Sequence, residues 1–74
     1  MSAVFIVMQG EDHEGGSVVA VASSPEAARK AALECMEDHW RSGEWKATTP
    51  MAHELSSWQQ GCDWMTIRKH IVLD

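Results

Sequence analysis

A chain of 74 residues has room for one small domain, and its eleven acidic against six basic side chains, a formal charge of −5, work against capture of a phosphate backbone. A domain of this size buries only about 60% of the surface its unfolded chain exposes, which disfavours a deep, water-excluding catalytic cavity. Leu, Ile, Val and Phe supply only 13 residues, but nine Ala, five Met and four Trp bring the hydrophobic fraction to 45%, enough for a folded core.

The first element is Ala3-Val4-Phe5-Ile6-Val7-Met8, a short β-branched and aromatic run that reads as a buried strand. At six residues it is also the longest apolar run, far short of the roughly 20 a helical membrane span needs, so no membrane association is expected. It is preceded by no basic end and followed by no small-residue cleavage site, so a cytoplasmic protein is expected. Gly10, Gly15 and Gly16 interrupt the polar stretch that follows and can supply a hairpin turn before a second strand, Val18 to Ala22. Antiparallel pairing of the two is predicted, with parallel pairing of the second strand to a later one left open.

Ser24-Pro25-Glu26 is a helix start: an N-cap serine, a proline at the first helical position and a carboxylate near the positive end of the dipole. A helix over Pro25 to His39 places Ala28, Ala31, Ala32, Cys35, Met36 and His39 on one stripe, with Trp40 filling space at its end. Glu26 with Lys30, and Glu37 with Arg41, have the favourable acid-first spacing of four. Leu33 falls on the solvated side, and Gly43 is the predicted left-handed cap. Residues 45–49 read as a short strand or a loop, and residues 51–60 as a turn of helix or an edge strand. Trp64 to Leu73 is a one-sided strand, with Met65, Ile67, Ile71 and Leu73 on one face and Trp64, Thr66, Arg68 and His70 on the other. The whole is an α+β single domain over 1–74: a small antiparallel sheet of three to four strands, in the order β-β-α-(β)-β, with one main helix packed on one face.

Three groups of residues invite a functional reading. Cys35 and His39, four apart on one helix, could join His53 and Cys62 in a zinc site, although no close Cys-x-x-Cys or His-x-x-x-His pair accompanies them. Packing accounts for both helix residues without a metal, so no cofactor is expected. Asp12-His13-Glu14 combines carboxylates with a base in the hairpin loop, but it lacks the alternating oxygen ligands of a calcium loop, and no G-x-S-x-G, H-E-x-x-H or phosphate-cradling glycine loop occurs. A solvated acidic loop and a non-enzymatic protein are expected. Trp40, Trp45, Trp58 and Trp64 are dense for so short a span, and some must be core. Trp64, on the face opposite Met65, is a candidate binding hot spot beside Arg68, unless Trp45 or Trp58 covers that face. The negative charge is concentrated in residues 1–40, where an acidic hairpin tip and helix face suit a basic, nucleic-acid-binding groove on a partner as well as they suit solubility.

The runs Val4-Phe5-Ile6-Val7, His13-Glu14-Gly15-Gly16 and Val18-Val19-Ala20-Val21-Ala22-Ser23-Ser24 with Glu26-Ala27-Ala28, and the closing Cys62-Asp63-Trp64-Met65-Thr66-Ile67, resemble a group of small proteins encoded by phages and bacteria. The likeness covers about two thirds of the sequence, omits residues 43–57, and brings no catalytic residue with it. It implies an accessory protein of a mobile element, a class that includes small acidic inhibitors of host defence, anti-CRISPR proteins among them, and of transcription. The expected function is therefore binding to a host protein that is thereby inhibited or redirected, without direct contact to nucleic acid. Glu11, Asp12 and Glu14 at the hairpin tip, Glu34 and Glu37 on the helix, and Trp64 with Arg68 on the sheet are the expected partner-binding residues. A zinc- or small-ligand-binding domain is the alternative, as is a self-associating domain; a twofold homodimer joined through the uncovered sheet face or its edge is expected because so small a chain has difficulty building a core alone.

Overall fold

The computed structural model describes residues 2–38 and 44–73. In chain order these form β1 (Ser2–Glu11), β2 (Gly15–Ala22), α1 (Pro25–Asp38), β3 (Lys46–Ala47), β4 (Glu54–Gln60) and β5 (Asp63–Val72). The strands make one sheet in the order β2-β1-β5-β4-β3, with every pairing antiparallel. The α+β architecture and the helix on one face are as predicted, but the sheet has five strands rather than three or four. Both segments that the sequence leaves open contain strands, β3 within residues 45–49 and β4 within residues 51–60, and β4 lies between β5 and β3 rather than at the edge. The core-facing alternation of β4 is carried by Trp58 alone and is broken by an irregularity between Glu54 and Ser56, so no period of two is visible in its sequence. The parallel alternative for β2 is not realised: among the described residues it is an edge strand paired with β1.

The centre of the sheet is the β1–β5 pair, in register from Ser2 opposite Val72 to Glu11 opposite Asp63. β1 and β2 are joined by the turn Asp12-His13-Glu14, closed by the Glu14 N–H donating to the Glu11 carbonyl at 3.2 Å. Of the three glycines expected to shape this turn, Gly15 alone has a left-handed backbone, at φ 73°. The pairing shifts by one residue between Val7 and Met8, leaving Val19 as the extra residue of a bulge in β2.

Ser24 caps α1 as predicted. Its Oγ accepts from the Ala27 N–H at 3.1 Å, and its carbonyl accepts from the Ala28 N–H at 3.1 Å. The alanine stripe is the buried side: Ala28 and Ala32 are inaccessible to solvent, and Ala31, Cys35 and Met36 pack half-buried beside them. With no bulk on those alanines, the helix settles closely onto Val7, Met65, Ile67 and Trp58, flanked by Phe5, Ala20 and Ala22. Arg29 closes the cluster, its guanidinium 5.9 Å from the Trp58 ring centroid. Leu33 is on the solvated side, as expected. Ile71 and Leu73, expected under the helix, are exposed, because α1 covers Met65 and Ile67 and leaves the far end of β5 bare. His39, Trp40, Arg41 and the Gly43 cap lie outside the described residues. No helix among the described residues is long and apolar enough to cross a membrane.

Candidate functional site

Strand pleating sends alternate side chains to opposite faces, and the register sorts them. Phe5, Val7, Met65, Ile67 and Trp58 go under the helix. On the other face the cross-strand rows run Gly16, Gly10, Trp64, Gln59; then Val18, Met8, Thr66, Ser57; then Val21, Ile6, Arg68, Glu54. Trp58 is core, and Trp45 packs against the same cluster, so neither covers this second face. Half of it, on β2 and β1, is an apolar strip of Val18, Val21, Ile6, Met8 and Val4, in which Val18 and Val21 are more than half exposed.

Trp64 sits at one end of this face over two missing side chains. A Cβ built on Gly16 would stand 2.5 Å from Trp64 Cη2, and one on Gly10 would stand 2.6 Å from Cζ2. Neither glycine has a positive φ; glycine provides space for the indole at both positions and, at Gly10, also for the Gly15 carbonyl that a Cβ would run into across the hairpin. This role separates Gly10 and Gly16 from the turn-forming Gly15.

The other half of the face is a polar groove of about 320 Å³ against residues 48–54, lined by Asp12, Thr48, Met51, Glu54, Ser57, Trp58, Gln59, Trp64, Thr66 and Arg68. Its outer wall is tied down by hydrogen bonds. The Thr48 N–H donates to the Ser57 carbonyl at 2.9 Å, and the Thr48 hydroxyl donates to Ser57 Oγ at 2.7 Å. The Met51 N–H donates to Glu54 Oε1 at 2.9 Å, and the Glu54 N–H returns a bond to the Met51 carbonyl. Glu54 Oε2 faces Arg68 Nη2 at 3.6 Å, an ion pair softened by the partial exposure of the guanidinium. Gln59 Nε2 donates to the Gly61 carbonyl at 3.2 Å. At the floor, Thr66 is 4% exposed, and its Oγ1 and the Arg68 Nε are buried with no hydrogen-bond partner among the described residues.

The residues expected to bind a partner divide between the two layers. Glu11, Asp12 and Glu14 are exposed at the β1–β2 turn, and the Asp12 N–H donates to the Cys62 carbonyl at 2.9 Å, which holds the turn beside the Trp64 end of the groove. Asp12, Trp64 and Arg68 therefore meet around one groove. Glu34 and Glu37 do not join them: both are exposed on α1, on the opposite side of the sheet, so one flat partner surface cannot engage both sets. Of the suggested zinc ligands, Cys35, His53 and Cys62 belong to no group of three metal-ligating side chains among the described residues, and His39 lies outside those residues. The Cys35 thiol donates to Gln9 Oε1 at 3.5 Å under the helix, whereas Cys62 is exposed in the β4–β5 turn. Thr66, Ser57 and Gln59 were not singled out as site residues by sequence; the signal available was the parity that sets Thr66 with Trp64 and Arg68. No known protein family, curated protein or solved structure matches this chain.

Proposed function

We propose that this chain is a small non-enzymatic binding module that attaches to a host protein and inhibits or redirects it, in the manner of phage accessory proteins, and that the helix-free face of its sheet is the surface it uses. The observation that carries the reading is that one helix covers one face of a five-stranded sheet, leaving the apolar strip of Val18, Val21, Ile6 and Met8 in the open. The acidic turn at one end of the face complements a basic partner surface.

Affinity capture from a bacterial lysate with the parent chain, Val21→Asp and the helix variant Glu34→Gln tests this. A protein held by the parent and Glu34→Gln but lost by Val21→Asp is the expected result. Equal capture by Val21→Asp would remove the open face from the function.

The self-complementary character of the apolar strip favours a second reading, a twofold dimer in which two such strips cover each other. Sedimentation of the parent chain at micromolar concentration separates the two readings by mass.

A further inference from the structure

We propose that the outer edge of β2 pairs antiparallel with β2 of a second copy of this chain, joining two five-stranded sheets into one and leaving the helix-free face, the surface of the function proposed above, uncovered. Among the described residues β2 is one of the two edges of the sheet. Edge strands offer a row of outward N–H and C=O groups to any strand that approaches, and proteins usually blunt them with charge, proline or shortness. The opposite edge, β3, is two residues long. β2 has eight, Gly15-Gly16-Ser17-Val18-Val19-Ala20-Val21-Ala22, with neither charge nor proline, and Val18, Val19 and Val21 are exposed.

The bulge selects the occupant. Val18 lies opposite Met8 and Val21 opposite Ile6, so both point to the helix-free face, and Val19 is the extra residue between them. Ser17, Ala20 and Ala22, opposite Gln9, Val7 and Phe5, point to the helix side. Opposed residues of an antiparallel pair share a face, so a strand added here must also take three steps rather than two to return to the same face at this point. β2 of a second copy does so. About a twofold axis between Val19 and Ala20, Val18 of each copy opposes Val21 of the other, and Ser17 opposes Ala22. A slip of one residue would set Val18 against Ala20 or Ala22, on the wrong face.

Charge supports the same pairing. The strands that meet bring no like charges together. α1 packs on β2, β1 and β5, centred on β1, and the Cys35 thiol bonded to Gln9 fixes its level along the sheet. The axis is level with the step from Val7 to Met8, about 5 Å from Gln9, which corresponds to about three helical residues back from Cys35. It therefore passes between the two helices near Ala32 and sets the exposed Lys30 of one copy level with the exposed Glu34 of the other. The helices run antiparallel on one side of the joined sheet, three strand spacings or about 14 Å apart, near enough for those side chains to attract across the gap. α1 has no basic residue in its last turn, so Lys30 of the second copy also brings positive charge toward the negative end of the helix dipole.

The test combines mass with crosslinking of the full chain. The parent is expected to sediment as a dimer at micromolar concentration. In a Cys62→Ser background, which removes the exposed native thiol, Val18→Cys/Val21→Cys is expected to give a covalent dimer on mild oxidation, read on a non-reducing gel. Residues opposed in an antiparallel pair stand about 4.5 to 5.5 Å apart at Cα, within disulfide range. Val18→Cys alone and Val21→Cys alone are expected to give little or none, since neither residue faces its own copy in this register. Lys30→Glu should weaken the parent dimer by about tenfold, and Lys30→Glu/Glu34→Lys should restore it. In a dimer whose apolar strips cover each other, both helices lie outside, so Lys30→Glu would leave the mass unchanged. A monomeric parent, a double-cysteine variant that does not crosslink, single variants that crosslink equally well, or a Lys30→Glu variant that dimerises as the parent does would each overturn the proposal. If it fails while Val21→Asp still abolishes capture of a host protein, the edge assignment falls and the open-face reading stands.

Discussion

Gly10 and Gly16 show how much a residue's role depends on what crosses it. Both neighbour a tight turn and both look like turn glycines in the sequence, but their backbones are ordinary; Gly16 is required by the Trp64 indole, and Gly10 by the backbone of Gly15 and Gly16 across the hairpin as well as by the indole. Gly16→Ala should therefore destabilise through a clash with the indole and with the Gln9 carbonyl, 2.9 Å from the new Cβ, at about 1 to 3 kcal/mol. A thermal melt measures the loss, and Trp64→Ala in the same background should recover part of it, because residues in contact are not additive. An additive double variant would mean that indole and glycine do not touch. At the other end of the chain's first half, Ser24→Ala removes the oxygen that accepts from Ala27 and should cost about 1 kcal/mol in denaturant unfolding.

At the scale of elements, α1 is held by small side chains rather than large ones. Ala32 is inaccessible to solvent, so Ala32→Leu must push the helix off Val7 and Met65 and should cost on the order of 1 to 3 kcal/mol, read as a lower melting temperature. Much of this level was legible beforehand, because a capped start, a stripe at helical spacing and an apolar β-branched run each have a physical signature. β1, β2, α1 and β5 carry such signatures, whereas β4 does not. In β4, Ser57 and Gln59 face a groove and Leu55 sits at the irregularity, so polar and apolar residues do not alternate as they do on a half-buried strand. The site was legible in the same uneven way. Trp64, Thr66 and Arg68 share a face by the parity of β5, but the burial of Thr66, 4% exposed, appears only when the cross-strand residues Met8 and Ser57 are set beside it.

At the scale of the whole molecule, the uncovered strip decides the state of assembly. Val18 and Val21 stand on the edge strand next to Ile6 and Met8, and a charge introduced among them has no partner in a buried interface. If the chain dimerises through this strip, Val21→Arg should halve the sedimenting mass while leaving the melting temperature of the monomer's core unchanged. A parent chain that already sediments as a monomer would assign the strip to a foreign partner. Substitution of Trp64 is less informative, because it also uncovers Gly10 and Gly16.

The pairing of β1 with β5 bears on how the molecule comes into being. These strands lie side by side at the middle of the sheet, yet they come from residues 2–11 and 63–72. At about 5 to 20 residues per second, a ribosome needs several seconds to make the stretch between them. Through that interval β1 has β2 and then α1 for neighbours but not β5, so the hairpin and the alanine stripe lack the Met65 and Ile67 side chains that complete their cluster. The central pairing therefore waits on closure of a long loop, the slow kind of event for a small domain.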